Sequence, residues 1–167
     1  MLTLEKFSIG VGDRFAHQAK AQLTACLMAG KSGVTVIPVW NKSNREHLIV
    51  GSEPGSVKAA ADAAVRELGW KHPYHVDADH INLGTVDRFI DASDFYTLDV
   101  ASAIGQPAPA ADVAAFVDRH PELIGRLSVP GIAAPFATTR QSVEAVAAKY
   151  LFAVQEAGRI YRHVAER

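Results

Sequence analysis

Hydrophobic and polar positions in the first hundred residues form blocks that predict strands separated by helices. The clearest block is the β-branched run from Val34 to Val39, which is typical of a strand covered on both faces. Three shorter blocks with the same character predict further strands near Phe7 to Gly12, Tyr74 to Asp77 and Phe95 to Leu98. A short additional strand is predicted from His47 to Val50.

Helical spacing fills the intervals between these strands. Helices are predicted from His17 to Ala29, from Ser56 to Leu68 and, in a shorter form, around Thr85 to Ile90. Short hairpins cannot join parallel neighbours, so alternating strands and helices indicate parallel pairing through helical crossovers. The predicted fold class is therefore α/β, either an open parallel sheet, such as a doubly wound one, or half of a TIM-type (β/α)8 barrel.

The rhythm changes after Val100. The sequence predicts a helix from Ala111 to Arg119, a Pro/Gly-rich connector from Pro121 to Pro135, and a long C-terminal helix from about Ser142. Apolar residues recur every three or four positions along the last helix and predict one buried stripe, formed by Val143, Ala147, Tyr150, Val154, Ala157, Tyr161 and Val164. We expect this stripe to cover the protein's own sheet; the alternative is that it docks onto another chain, as in a homo-oligomer, or onto sequence that this chain lacks.

Composition narrows the functional classes. The 17 basic and 18 acidic residues nearly balance, with no basic cluster, so we expect no nucleic-acid partner. No apolar run is long enough for a membrane span, so we expect no membrane partner and a cytoplasmic location. Cys26 has no second cysteine to pair with and is interpreted as a core residue. A length of 167 residues predicts a single domain from 1 to 167.

Candidate chemistry follows from the predicted topology, because ligands of parallel α/β folds collect at the carboxyl ends of the strands. This rule selects the polar residues that follow or end each predicted strand: Asp13, Arg14, Asn41, Lys42, Arg45, Asp77, Asp79, His80 and Asp99. We expect them to converge on one rim of the sheet. A dinucleotide loop is not indicated, because Phe15 occupies the third glycine position of a GxGxxG motif.

The segment Asp77-Ala78-Asp79-His80 is the most specific of these candidates. Two carboxylates beside an imidazole suit a general base or a metal site. The structural alternative is that both carboxylates cap the next helix and His80 bonds a buried carbonyl. For Asp13 and Arg14 the alternative is a local ion pair, and Lys42 is interpreted as a solvated anion-binding lysine rather than a Schiff-base lysine.

Several loops together resemble a known family. The segments are Phe7 to Phe15, Pro38 to His47, Val76 to Ile81, Ser93 to Val100 and Ala157 to His163, in that order along the chain. They are similar to the amino-terminal part of the tagaturonate epimerase family. The resemblance implies a divalent-metal-dependent, barrel-type isomerase that interconverts D-tagaturonate and D-fructuronate, small sugar-acid substrates, in hexuronate catabolism. Members of that family are much longer than this chain, so we expect the natural reading frame to continue past Arg167.

The resemblance also implies roles for individual residues. It assigns Asp79 as proton acceptor and His80 as one ligand of the divalent metal. Neighbouring strand residues point to opposite faces, so this pairing requires the strand to have become a loop at His80. The reaction implied is a retro-aldol cleavage and re-addition, with the metal polarising the ketone. Arg14 or Lys42 would bind the substrate carboxylate, and the other rim residues Asp13, Asn41, Asp77 and Asp99 would contact substrate.

Two other functions fit the same sequence. One is a lobe that binds a sugar acid or a partner without turnover, and the other is a metal-dependent aldolase acting on a related sugar acid. Epimerase and aldolase begin with the same bond cleavage, so only product analysis separates them. A catalytic metal needs about three protein ligands, and this sequence offers His80 with few others. Unless Asp77 or Asp99 completes the set, we therefore expect the 167-residue chain alone to bind metal weakly and to show no turnover.

Overall fold

The structure of the protein is a computed structural model that describes residues 4–167. Within it the chain divides into two compact units. The first comprises residues up to Asp99 together with His163–Arg167, and the second comprises Val100–Arg162. The expectation of one domain over the whole chain stays a prediction.

Four parallel strands form the sheet of the first unit. They are β1 (Ser8–Gly12), β2 (Ile37–Ser43), β3 (His75–Ile81) and β4 (Phe95–Leu98). All three pairings between neighbours are parallel, which confirms the predicted α/β architecture. Both β2 and β3 extend four residues or more beyond their predicted ends, so polar residues foreseen in loops lie within strands.

The order of the strands across the sheet is β1-β2-β3-β4, the same as their order along the chain. A doubly wound sheet requires a point at which the order reverses. Among the described strands no such reversal is present, so their order differs from that of a doubly wound sheet.

Helices α1 (Ala19–Lys31) and α3 (Gly55–Leu68) cover one face of this sheet. Leu23 of α1, Ala61 of α3 and Trp40 of β2 are completely buried together in the core between them. Each helix lies within two residues of its predicted bounds. The predicted short helix around Thr85 to Ile90 is a pair of single 3-10 turns, Val86–Arg88 and Ile90–Ala92.

The prediction of a strand from His47 to Val50 is wrong, because these residues belong to helix α2 (Asn44–Val50). A capping box starts this helix: the Ser43 hydroxyl accepts from the Glu46 amide, and the Glu46 carboxylate accepts from the Ser43 amide. Gly51 ends it in the left-handed conformation, with φ of 64°. The two end signals override the strand preference of the short apolar segment between them.

The second unit contains helix α4 (Ala110–Arg119) and most of helix α5 (Arg140–Ala165). Val113 and Phe116 of α4 pack against Ala147 and Leu151 of α5. The predicted connector contains strand β5 (Gly125–Leu127), and β6 (Phe136–Thr138) follows directly after the connector; the two strands form an antiparallel hairpin that the sequence did not indicate.

The long C-terminal helix was predicted, and its buried stripe was assigned correctly only in part: Ala147 is buried and Val143, Ala157 and Val164 are partly buried. Tyr150, Val154 and Tyr161 are exposed, whereas Ala153 and Ile160 are buried. Periodicity fixes that a helix is amphipathic but leaves the contacting face to tertiary packing. Of the helices formed by residues 4–167, none combines the length and apolar character needed to cross a membrane.

Candidate active site at the carboxyl ends of the strands

A cavity of about 460 Å³ opens at the carboxyl ends of β2, β3 and β4. Its first wall is the junction of β2 and α2, formed by Ser43, Asn44, Arg45 and Glu46. The opposite wall comes from the end of β3 and the segments that follow β3 and β4, and consists of Asp79, His80, Asn82, Thr85 and Asp99. The cavity thus lies where a parallel sheet is expected to collect a ligand.

A β-bulge brings Asp79 and His80 to the same site. Between Ala78 and Ile81 the register of β3 shifts, since three steps along β3 match two steps along β4. His80 takes the left-handed conformation, with φ of 55°, which is uncommon for a residue other than glycine. Its Nδ1 atom lies 2.7 Å from Oδ1 of Asp79. The expected change of strand geometry at His80 therefore occurs as a bulge inside the strand, not as a loop after it.

The two side chains differ in exposure. The Asp79 side chain is 19% exposed and the His80 side chain is 64% exposed. Asp79 is thus partly withdrawn from water, while the imidazole is open to the solvent. A carboxylate that is oriented by an imidazole and reachable from a cavity is suited to accept a proton from a bound hydroxyl group.

Asp77 lies two residues before Asp79 in β3 and is buried. Its carboxylate accepts from the backbone amide of Thr97 at 3.0 Å and from the Thr97 hydroxyl at 2.7 Å. Burial raises the pKa of Asp77, against the effect of the Thr97 hydroxyl. Asp77 therefore ties β3 to β4 beneath the cavity, and it does not line the cavity.

Asp13 and Asn41 support the edge of the sheet beside β1. The buried Asp13 carboxylate accepts from the amides of His17 and Gln18, at 3.0 and 2.8 Å, and so holds the start of α1. Asn41 packs so closely on β1 that a Cβ at Gly10 would lie 3.1 Å from its Nδ2 atom. Neither residue lines the cavity, although both lie at the carboxyl ends of their strands.

The two predicted cations are both engaged. Arg14 does not pair with Asp13; its guanidinium lies 2.9 Å from Glu46. The expectation of a solvated Lys42 is wrong, because Lys42 is 1% exposed and donates to the Ser52 hydroxyl at 2.6 Å. Burial lowers the pKa of Lys42.

His47 of α2 is buried and contacts Ser52, as Lys42 does. Its Nδ1 atom lies 3.0 Å from the same Ser52 hydroxyl that receives Lys42. Burial, reinforced by the nearby charges of Lys42 and Arg88, lowers the pKa of His47 to about 4. This imidazole is therefore neutral at physiological pH, and it anchors α2 to the sheet.

The predicted rim residues divide into two groups. Asp79, His80 and Asp99 line one cavity, and Asp13, Asn41 and Asp77 lie at the same edge of the sheet but take part in its internal contacts. Sequence reasoning missed the cavity residues Ser43, Asn44, Glu46, Asn82 and Thr85. The pattern Ser43-x-x-Glu46 is a capping-box signal that would have identified the α2 wall.

A complete metal site is not present among residues 4–167, which contain no group of three or more His, Cys, Asp or Glu side chains able to hold a metal ion. A catalytic metal needs about three protein ligands. The described residues do not fit the implied metal, and His80 as one of its ligands stays a prediction.

Comparison with known proteins gives both a family and a fold. The tagaturonate epimerase family model matches residues 1–161. A native crystal structure of the fructuronate-tagaturonate epimerase UxaE from Cohnella laeviribosi is similar with a TM-score of 0.73 and 20% identity, over 93% of this chain and 34% of that chain. A crystal structure of the same enzyme with one glycerol is similar with a TM-score of 0.71, 20% identity and the same coverage.

The chain spans about a third of the length of those solved structures. No curated protein matches the sequence. Since the family model covers nearly all of its residues, the chain belongs to the tagaturonate epimerase family.

Proposed function

We propose that this chain carries part of the active site of a sugar-acid epimerase that interconverts D-tagaturonate and D-fructuronate, with Asp79 as the proton acceptor. The proposal takes its reaction from the family. It takes the base from the bulge in β3, which places Asp79 and His80 side by side in the cavity.

The bulge supports the proposal because the backbone conformation of His80 is energetically unfavourable. A non-glycine residue held in the left-handed region costs on the order of 1–3 kcal/mol and persists where the surrounding structure demands it. In an unbroken strand, Asp79 and His80 would point to opposite faces. The distorted backbone instead lets both serve one cavity.

The proposed reaction starts at the hydroxyl group of the carbon that is to be inverted. Asp79 accepts the hydroxyl proton, the adjacent carbon–carbon bond breaks, and its electron pair passes to the ketone fragment as an enolate. The other fragment becomes an aldehyde that still bears the substrate carboxylate. Re-addition of the enolate to the opposite face of the aldehyde and return of the proton give the epimer, so atoms and electrons balance.

A cytoplasmic location and a homo-oligomeric contact through α5 stay predictions. A binding lobe without turnover is the second candidate, and one observation favours it: residues 4–167 do not complete a metal site.

Barrel closure by further strands would follow the sequential order of β1 to β4.

The test follows the two uronate isomers by NMR, using the 167-residue chain and a protein of full family length that carries it. We expect turnover only in the longer protein, and we expect Asp79→Asn to reduce it by about a hundredfold or more, the usual contribution of a general base. Asp91→Asn is the matched control, because Asp91 is exposed and does not line the cavity.

Each outcome has a distinct meaning. Full activity of the Asp79→Asn protein would remove the proposed base. Accumulation of two three-carbon products without an epimer would identify an aldolase. Uronate binding without turnover in the full-length protein would support the binding lobe.

A further inference from the structure

We propose that Arg45 binds the carboxylate of the substrate, an inference that rests on the proposed function and adds its anion-binding residue. The role was expected of Arg14 or Lys42. The contacts of the described residues favour Arg45 over both.

Lys42 is unavailable because of its position. Lys42 is buried and does not line the cavity, and its ammonium group donates to Ser52 at 2.6 Å. A substrate carboxylate would have to displace this contact and enter the core.

Arg14 and Glu46 neutralise each other. Oε1 of Glu46 accepts from Nε of Arg14 at 3.0 Å, and its Oε2 accepts from the amide and hydroxyl of Ser43 at 3.1 and 3.2 Å. Both oxygens of Glu46 are therefore occupied. The nearest acidic side chain of the β2–α2 wall is thereby withdrawn from Arg45.

Arg45 itself is exposed, lines the cavity, and makes no hydrogen bond or ion pair with another residue of the range 4–167. Guanidinium groups present paired donors that match a carboxylate in a bidentate arrangement. Arg45 is thus the cavity cation whose donors are open to a ligand.

The register of the sheet places this cation near the proposed base. Ser43 of β2 pairs with Asp79 of β3, and neighbouring strands lie about 5 Å apart. Arg45 follows Ser43 by two residues at the same edge. In the substrate the carboxylate is two carbons from the carbon that is inverted, so one molecule spans both side chains.

This position also suits the proposed chemistry. The aldehyde fragment released by bond cleavage still carries the carboxylate. A residue that binds the carboxylate keeps the fragment in the cavity while the aldehyde group rotates and presents its opposite face to the enolate.

The test measures binding to the 167-residue chain by isothermal titration calorimetry, so it does not depend on turnover. The ligands are D-tagaturonate and D-tagatose, which differ in having a carboxylate or a hydroxymethyl group at the end of the same carbon chain. We expect Arg45→Gln to weaken uronate binding at least tenfold and to leave D-tagatose binding unchanged, with Arg45→Lys intermediate. Arg66→Gln, an exposed cation on α3, is the matched control and should bind like the wild type.

A wild-type chain that does not prefer uronate over D-tagatose would overturn the inference. So would an Arg45→Gln chain that keeps wild-type uronate affinity, or one that loses both ligands equally, since the latter indicates structural damage. The proposed function fails separately, when a protein of full family length binds uronate but does not interconvert the isomers.

Discussion

His47 should make the first unit less stable in acid, and the size of the effect follows from its surroundings. The imidazole is 1% exposed, and burial with the charges of Lys42 and Arg88 lowers its pKa to about 4 from 6.5. A buried neutral histidine favours folding only while it stays unprotonated. The unfolded chain binds the proton at higher pH, so the contribution to stability is present above the unfolded pKa and is lost as pH falls towards the folded one.

The difference of about 2.5 between the two pKa values corresponds to roughly 3.5 kcal/mol when the pH is well below 4, at about 1.4 kcal/mol for each pKa unit. Between pH 8 and pH 5 the expected loss is about 2 kcal/mol, since the folded imidazole is still largely neutral at pH 5. This loss is a substantial part of the free energy of unfolding of a typical domain, which is about 5–15 kcal/mol.

The assay is urea unfolding followed by tryptophan fluorescence at pH 8 and pH 5. Trp40 and Trp70 both lie in the core of the first unit and report on the same unit as His47. The wild type should lose about 2 kcal/mol more than His47→Gln over this interval, because glutamine keeps a polar partner for Ser52 and does not titrate.

His75 provides a control with the opposite sign. Burial opposes its protonation, but hydrogen bonds to Asp94 and Glu5, at 2.9 and 3.1 Å, outweigh burial and raise its pKa. Its contribution is therefore present below the unfolded pKa of about 6.5 and is lost as pH rises through the folded value. The reasoning is refuted if His47→Gln and the wild type lose the same stability between pH 8 and pH 5, or if His75→Gln mimics His47→Gln.

Two further predictions concern the framework of the site. Thr97→Val should destabilise the first unit by about 1.5–3 kcal/mol in urea unfolding, because it removes a 2.7 Å hydrogen bond to the buried Asp77 carboxylate; an unchanged midpoint would show that the hydroxyl does not tie β3 to β4. Leu23→Ala should cost about 2–5 kcal/mol in the same assay, because Leu23 is 0% exposed in the core. Met28→Ala, at a position 62% exposed on the same helix, should change stability by less than about 0.5 kcal/mol.

The sheet was predictable because its signals are local. The second half of the β-branched run before Trp40, Ile37 and Val39, lies in β2 as expected, although the strand begins three residues later than Val34, and glycines such as Gly69 end the helices between strands. Parallel pairing and the rim then follow from chain connectivity. These steps need no knowledge of side-chain contacts.

The errors occur where a local preference competes with another signal or with packing. Leu48 and Ile49 suggested a strand, yet both are exposed on α2, whose ends are fixed by the capping box and by Gly51. The β5–β6 hairpin lies in a Pro/Gly-rich segment with little strand character. The buried face of α5 depends on which neighbours pack there, and the sequence of the helix does not contain that information.

In the candidate site too, some features follow from chain order and others depend on packing. Chain order predicts that Arg14, Lys42 and Arg45 all lie near the rim, and so it cannot choose among them. The choice is made by partners distant in sequence or hidden by the fold: Glu46 is 32 residues from Arg14, and Ser52 reaches Lys42 only because α2 folds back on the sheet. Arg14 and Lys42 are thereby engaged by Glu46 and Ser52, and Arg45 remains exposed in the cavity.

The bulge at His80 completes this arrangement from the other side. Register alone would bring Asp79 opposite Ser43 and turn His80 away from it. One extra residue in β3 turns the imidazole back beside the carboxylate, at 2.7 Å. Because the extra residue lies after Ala78, the pairing of Asp77 with β4 and of Asp79 with β2 is undisturbed. The distortion is therefore confined to the position where the proposed base and its imidazole neighbour meet the cavity, and the strand beneath stays regular enough to hold them there.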